Sequence, residues 1–145
     1  MGGCGTGQGF LISVMQYPGT SCGHVVSPLD GWLFGRINGG NCISLAFNQG
    51  YGWASGVNLR ILFDGLFSGE PGSGYPEARR ASQAESRKRL ELISSVTHRD
   101  FAEIAESLPR EMTREALSYP GIRELVTSSR IGDSRLAAAL SALLP

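Results

Sequence analysis

The sequence predicts an α+β fold, an N-terminal antiparallel four-stranded β-meander followed by a C-terminal bundle of short helices, and three observations predict it. Composition changes abruptly near Tyr75: eighteen of the 20 glycines precede it, and only Asp30, Arg36, Arg60, Asp64 and Glu70 are charged in that part. Before that point apolar residues alternate, as on a strand whose successive side chains face opposite ways. Beyond it the chain is rich in Ala, Leu, Glu and Arg, which lose least on entering a helix. The expected organisation is a glycine- and aromatic-rich antiparallel β subdomain at 1–66, a Gly/Ser/Pro linker at 67–76 and a helical subdomain at 77–144.

Each strand is justified in turn. GFLISVMQY places Phe10, Ile12 and Val14 on one face and ends at Pro18-Gly19. GWLFGRI and NCISLAF flank Asn38-Gly39-Gly40-Asn41, residues that tolerate the positive φ of a tight hairpin. VNLRILFDG alternates most regularly, with Val57, Leu59, Ile61 and Phe63 on one side. The loop between the last two, NQGYGWASG, carries Tyr51 and Trp53.

Five helices are expected after Pro76. The first, EARRASQAESRKRLELISSV, is polar at its start and apolar only at Leu90, Leu92, Ile93 and Val96. Thr97 with Asp100 resembles a capping box for the second, where Phe101, Ile104, Ala105 and Leu108 keep the spacing of an apolar helical stripe. Pro109 and Pro120 open two more, with Met112 and Ala116 inward in one and Ile122, Leu125 and Val126 in the other. Asp133 caps the last, whose apolar face is Leu136, Leu140, Leu143 and Leu144. The recurrence of Ser-Leu-Pro and Ser-Tyr-Pro gives two units, too few for a solenoid.

The totals exclude several function classes. Thirteen basic residues balance 13 acidic ones, so no overall field draws the chain to nucleic acid, and such contact is not favoured. The apolar runs are shorter than the ~20 residues of a membrane-spanning helix, and no secretory signal pattern opens the chain. A cytoplasmic protein is expected, membrane-peripheral only if lipidated. Three cysteines without a CxxC pair argue against a disulfide framework.

The opening MGGCGTGQG admits three readings, of which a slack or assembly-ordered end comes first, a lipid anchor second and a phosphate loop third. Met-Gly-x-x-x-Thr matches an acylation pattern with Gly2 as acceptor and Cys4 as a second lipid site. Alternating glycines also suggest a phosphate loop, but that needs a strand before and a helix after, whereas here a strand is expected to follow. Cys22-Gly-His24 with Cys42 or Cys4 offers thiolate and imidazole ligands, at a spacing unlike a usual zinc knuckle, and no metal or cofactor is assigned. Cys22 with His24, which would share one face of an extended segment, and Ser134 are candidates for a nucleophilic site. The order His24, Asp64, Ser134 resembles that of chymotrypsin-like proteases, although Arg135 stands where that family has glycine. His98-Arg99-Asp100 echoes a kinase triplet without the accompanying motifs and is read as a helix start. Arg79-Arg80-Ala-Ser82 makes Ser82 a phosphorylation candidate, beside Arg87-Lys88-Arg89 on a face read as solvated.

No active site assembles from these residues. The expected function is therefore a non-enzymatic interaction or structural protein, a subunit of a larger assembly. It would bind a protein partner or like subunits through Phe101, Ile104, Leu108, Leu136, Leu140 and Leu143, with Tyr51 and Trp53 on the aromatic loop. The alternatives are an N-myristoylated viral or pathogen accessory protein at a membrane surface and a small Cys- or Ser-dependent hydrolase.

Overall fold

The computed structural model describes residues 1–50, 52–128 and 130–145. Its sheet is parallel, not an antiparallel meander. Three short strands, β1 (Gly2–Cys4), β2 (Cys22–Val25) and β3 (Cys42–Ala46), run in the order β1-β3-β2. Gly2 pairs with Ser44 and Cys4 with Ala46 on one side of β3, and Cys22 with Cys42 and His24 with Ser44 on the other. Parallel neighbours need crossovers, and helices supply them. The first crossover contains α1 (Gln8–Val14); the second contains α2 (Pro28–Leu33), which runs on into a π-helical turn at Phe34–Asn38.

Of the four segments expected as strands, only the one around Cys42–Ala46 is extended. The clearest expected strand is α3 (Ser55–Leu66). The apolar residues of this segment fit both periods, and burial shows which one the fold uses. Leu62 is fully buried and Leu59, Phe63 and Leu66 pack beside it at helical spacing, whereas Val57 and Ile61, which alternation would have buried, are exposed. GWLFGRI is likewise helical, and its start signal lies just upstream. Ser27 caps the helix by accepting from the Asp30 N–H at 3.2 Å, and Pro28 takes the first helical position.

β3 lies between its partners and is almost wholly buried. Its side chains serve two layers because they alternate. Ile43 and Leu45 join Val25 of β2 and Leu62 of α3 in the core, which Phe34 also covers. Ser44 faces the other way, toward the segment leading into α1. Burying four such aliphatic side chains contributes on the order of 1.5–3 kcal/mol each.

The segment 67–74 is fastened rather than free. Gly72 and Gly74 donate to the carbonyls of Gly35 and Arg36 at 2.8 and 2.7 Å, and Arg87 donates to Ile37 and Gly72 carbonyls, each at 2.7 Å. Arg87 belongs to α4 (Arg80–Thr97), which buries none of its residues and leaves Leu90, Leu92, Ile93 and Val96 exposed. His98, read as part of a helix start, instead closes α4, with Nε2 3.2 Å from the Met15 carbonyl.

The chain divides into two units, Met1–His98 and Arg99–Pro145. The second consists of α5 (Phe101–Ser107), α6 (Arg110–Leu117), α7 (Ile122–Thr127) and α8 (Ser134–Leu143) around Ala102, Ala105, Leu117, Val126 and Ala139. Asp100 and Asp133 cap α5 and α8, each accepting from two backbone N–H groups. Thr97 takes no part in the first of these caps; its hydroxyl donates to the Ile93 carbonyl within α4. Arg135 bridges Asp100 at 3.3 Å and Glu103 at 3.8 Å, joining the starts of α8 and α5.

Candidate active site

The segment Cys4-Gly5-Thr6-Gly7 leaves the carboxyl end of β1 and turns directly into α1. A strand precedes it and a helix follows, the context that the sequence reading denies it. Its carbonyls are all engaged. Cys4 O accepts from the N–H of Gly7 and Phe47, and Gly5 O accepts from Asn48 at 2.7 Å. Thr6 O lies 3.0 Å from His24 Nε2, so that nitrogen carries the hydrogen and donates; Nδ1 then accepts from the Gln8 side-chain amide at 3.3 Å. Gly7 O accepts from the hydroxyl of fully buried Ser44 at 2.5 Å and from Leu11 N–H at 3.1 Å.

The Cys4 sulfur lies against the first turn of α1, where a Cβ on Gly9 would meet it at 3.5 Å. The Cys4 thiol is held below the ordinary thiol value chiefly by the Phe10 N–H, with those of Gly9, Gly7 and Thr6 adding to it while desolvation opposes. Gly7 is required on two counts. Its φ is +76°, and a Cβ there would meet His24 Nε2 at 2.6 Å. His24 and Ser44 are partners across β2 and β3, so the same sheet register supports two successive carbonyls of the loop.

The structure places the other singled-out residues as follows. Gly2 is the first residue of β1, paired with Ser44. Cys22 and His24 share a face of β2 as expected, but Cys22 stands against Cys42 while His24 supports the loop after Cys4. Ser134 is the exposed first residue of α8 in the second unit. Ser82 is exposed near the start of α4, its hydroxyl donating to the Arg79 carbonyl at 3.0 Å. Trp53 is 98% exposed, and Tyr51 lies outside the described residues. Phe101 is 40% exposed, while Ile104, Leu108, Leu136, Leu140 and Leu143 are half-buried. Among the described residues no group of three or more His, Cys, Asp or Glu side chains is placed to hold a metal ion, so the Cys/His set is not gathered into one. A cavity of about 220 Å³ is lined by Arg110, Arg114 and residues 142–145 of the second unit, with no residue of the loop after Cys4.

Comparison with known proteins then bears on the site. No protein-family model and no curated protein matches the chain. Solved structures do. The crystal structure of 4-deoxy-L-threo-5-hexosulose-uronate ketol-isomerase complexed with a tartrate superposes with a TM-score of 0.92 at 33% identity, over 97% of this chain. Ribose-5-phosphate isomerase from Vibrio parahaemolyticus gives a TM-score of 0.90 at 36% identity, over 98% of this chain. The fold is shared with sugar isomerases. The chain spans 66% of the length of each of those two.

These likenesses overturn the expectation of a non-enzymatic interaction or assembly protein, and with it the viral or pathogen accessory protein and the small hydrolase. They point to an enzyme. From sequence Cys4 is a candidate for acylation or, with Cys22 and His24, for metal ligation, and not for acid–base chemistry. The signal passed over is Cys-Gly-Thr-Gly between a short strand and a helix, a strand of three residues, two of them glycine, that no periodicity can reveal.

On membranes the structure supports a coarser statement than a cytoplasmic location. No helix of the described residues is long and apolar enough to cross one.

Proposed function

We propose that this chain carries the catalytic centre of a ketol isomerase acting on an anionic sugar, with Cys4 as the acid–base group. The observation that carries the reading is the position of Cys4, whose sulfur lies against the first turn of α1 at the carboxyl end of a parallel sheet, where open α/β sheets bind their ligands, with its thiol lowered there. The fold likeness supports the substrate class, because the two matched enzymes are named for a sugar phosphate and a uronate, and both carry an anionic group.

Aldose–ketose interconversion moves one hydrogen between neighbouring carbons. The thiolate of Cys4 removes the proton from the carbon beside the carbonyl, leaving an enediolate. The thiol formed then returns the proton to the adjacent carbon, while the hydroxyl proton passes between the two oxygens. A base works best when its pKa lies near the working pH, and a thiol lowered from its ordinary value moves in that direction. Negative charge passes from sulfur to the enediolate oxygens during the first step. The N–H groups that held it on sulfur are then released to hold it on oxygen.

The test is solvent exchange. The protein is incubated in D2O with ribose 5-phosphate and, separately, with a keto-uronate, and deuterium at the carbon next to the carbonyl is followed by NMR. Exchange with one class, lost in Cys4→Ala, is the expected result. Exchange with neither, or exchange that survives Cys4→Ala, overturns the reading.

A further inference from the structure

The amino end of the same sheet holds a second arrangement of sulfur that the isomerase reading does not use. Cys22 opens β2 and Cys42 opens β3, and the two are direct partners in the parallel register. Paired residues of parallel strands project to the same face, so the thiols stand side by side. Neighbouring strands lie ~4.8 Å apart, inside the Cα separation of roughly 4.4–6.8 Å that a disulfide spans. Each thiol lies near the carbonyl of the next residue in its own strand, Cys22 Sγ 4.0 Å from Gly23 O and Cys42 Sγ 3.9 Å from Ile43 O, and the Cys22 thiol is raised partly by its closeness to Cys42. Both residues are half-exposed and free of any bridge, and the Met15 thioether lies beside them, accepting the Cys22 N–H at 3.4 Å. Four positions of β3 separate Cys42 from Ala46, the partner of Cys4, or about 13 Å at the rise of a strand.

We propose that Cys22 and Cys42 form a redox-active dithiol, a site of reversible oxidation by a low-molecular-weight disulfide of the oxidised glutathione class. The reaction balances as two exchanges. The Cys42 thiolate attacks one sulfur of the oxidant, forming a mixed disulfide and expelling one small thiolate. Cys22 loses its proton to the expelled thiolate or to water and attacks the Cys42 sulfur, so the protein disulfide forms and the second small thiolate leaves. The protein gives up two electrons and two protons, and the oxidant leaves as two thiols. Cys42 is the first attacker because Cys22 keeps its proton, its thiol being pushed up to about 12 by burial and then by the contact with Cys42. Side chains that project in parallel do not converge, so the bridge is strained and easily reduced, a labile rather than a structural disulfide.

The chain has three cysteines, so Cys4→Ser leaves only this pair. Oxidised glutathione is added to the native C4S protein, and intact mass and free thiols are measured. The expected result is loss of the mass of two hydrogens and of both thiols, without a glutathione adduct or a cross-linked dimer, and full reversal by reduced glutathione. Two thiols that persist, a stable adduct on the pair, or a disulfide between molecules overturns the proposal. Within the C4S background, Cys22→Ser is expected to trap glutathione on Cys42 at least tenfold faster than Cys42→Ser traps it on Cys22; the reverse order overturns the assigned attacker. Tryptic digestion of the oxidised, unmutated protein is a check independent of any variant, since residues 1–36 should be linked to 37–60. None of these measurements depends on isomerase activity, so this site and the Cys4 reading fail separately.

Discussion

The two ends of one small sheet treat the same side chain in opposite ways. At the carboxyl end, Cys4 sits among backbone N–H groups and its thiolate is favoured; at the amino end, Cys22 meets burial and a second thiol, and its neutral form is favoured. Backbone N–H groups lower the Cys4 thiol and desolvation opposes them, with no charged side chain involved. The contrast teaches that loop direction, more than residue type, sets cysteine chemistry. Where β1 turns into α1 the donors converge on sulfur, whereas where β2 and β3 begin only another thiol does.

The largest expected effect comes from removing the reactive sulfur. Cys4→Ser should lower isomerisation by about 10²–10⁴-fold, the usual contribution of a positioned acid–base group, with circular dichroism unchanged. Next comes the turn that aims the donors. Gly7→Ala puts a Cβ where φ is +76° and against His24, so a loss of roughly 1–3 kcal/mol in urea unfolding is expected, together with slower alkylation of Cys4. His24→Ala leaves the Thr6 carbonyl without its imidazole donor. It should cost about 1 kcal/mol and shift the pH profile of Cys4 alkylation upward, measured in a C22S/C42S background. His24→Gln, which keeps a donor, should restore part of that shift, and an unchanged profile in His24→Ala would show that the carbonyl support does not act on Cys4.

The smallest effect is the pH dependence of stability, and its sign differs between the two ends. Cys22 is raised above the ordinary 9.0 to about 12, so its contribution is complete below pH 9 and lost as pH climbs toward 12. Cys4 is lowered, so its contribution is present above the ordinary value and lost as pH falls through its folded-state value. Urea midpoints from pH 8 to 11 should therefore fall more steeply for the native protein than for Cys22→Ser.

Legibility in the sequence follows the same division. The helices of the second unit carry their own signals. Asp100 and Asp133 are local caps, and of the expected stripes Ala105 is buried and Ile104, Leu108, Leu136, Leu140 and Leu143 are half-buried, while Phe101 is exposed and the alanines Ala102 and Ala139 complete the core. The first unit is different because its strands are three to five residues long and rich in glycine, below the length at which alternation can be read. Leu59–Phe63 reads equally as strand or helix until something packs against it, and Val25, Ile43 and Leu45 are what pack. Ser27-Pro28 was the one local sign that GWLFGRI is helical. Cys4 shows no spacing to any partner side chain, because its partners are backbone N–H groups.

The amino-acid sequence by itself determined the helical character beyond Pro76, the cap at Asp133 and the extended segment at Cys42–Ala46, since each depends on neighbours within a few positions, whereas the cap of α5 is Asp100 itself and not the expected Thr97. Tertiary structure decided that the sheet is parallel, that α3 is a helix, and that the Cys4 thiol is lowered while the Cys22 thiol is raised. Those outcomes depend on contacts between segments distant along the chain, such as His24 with Thr6, Ser44 with Gly7 and Cys22 with Cys42, and no local pattern encodes them.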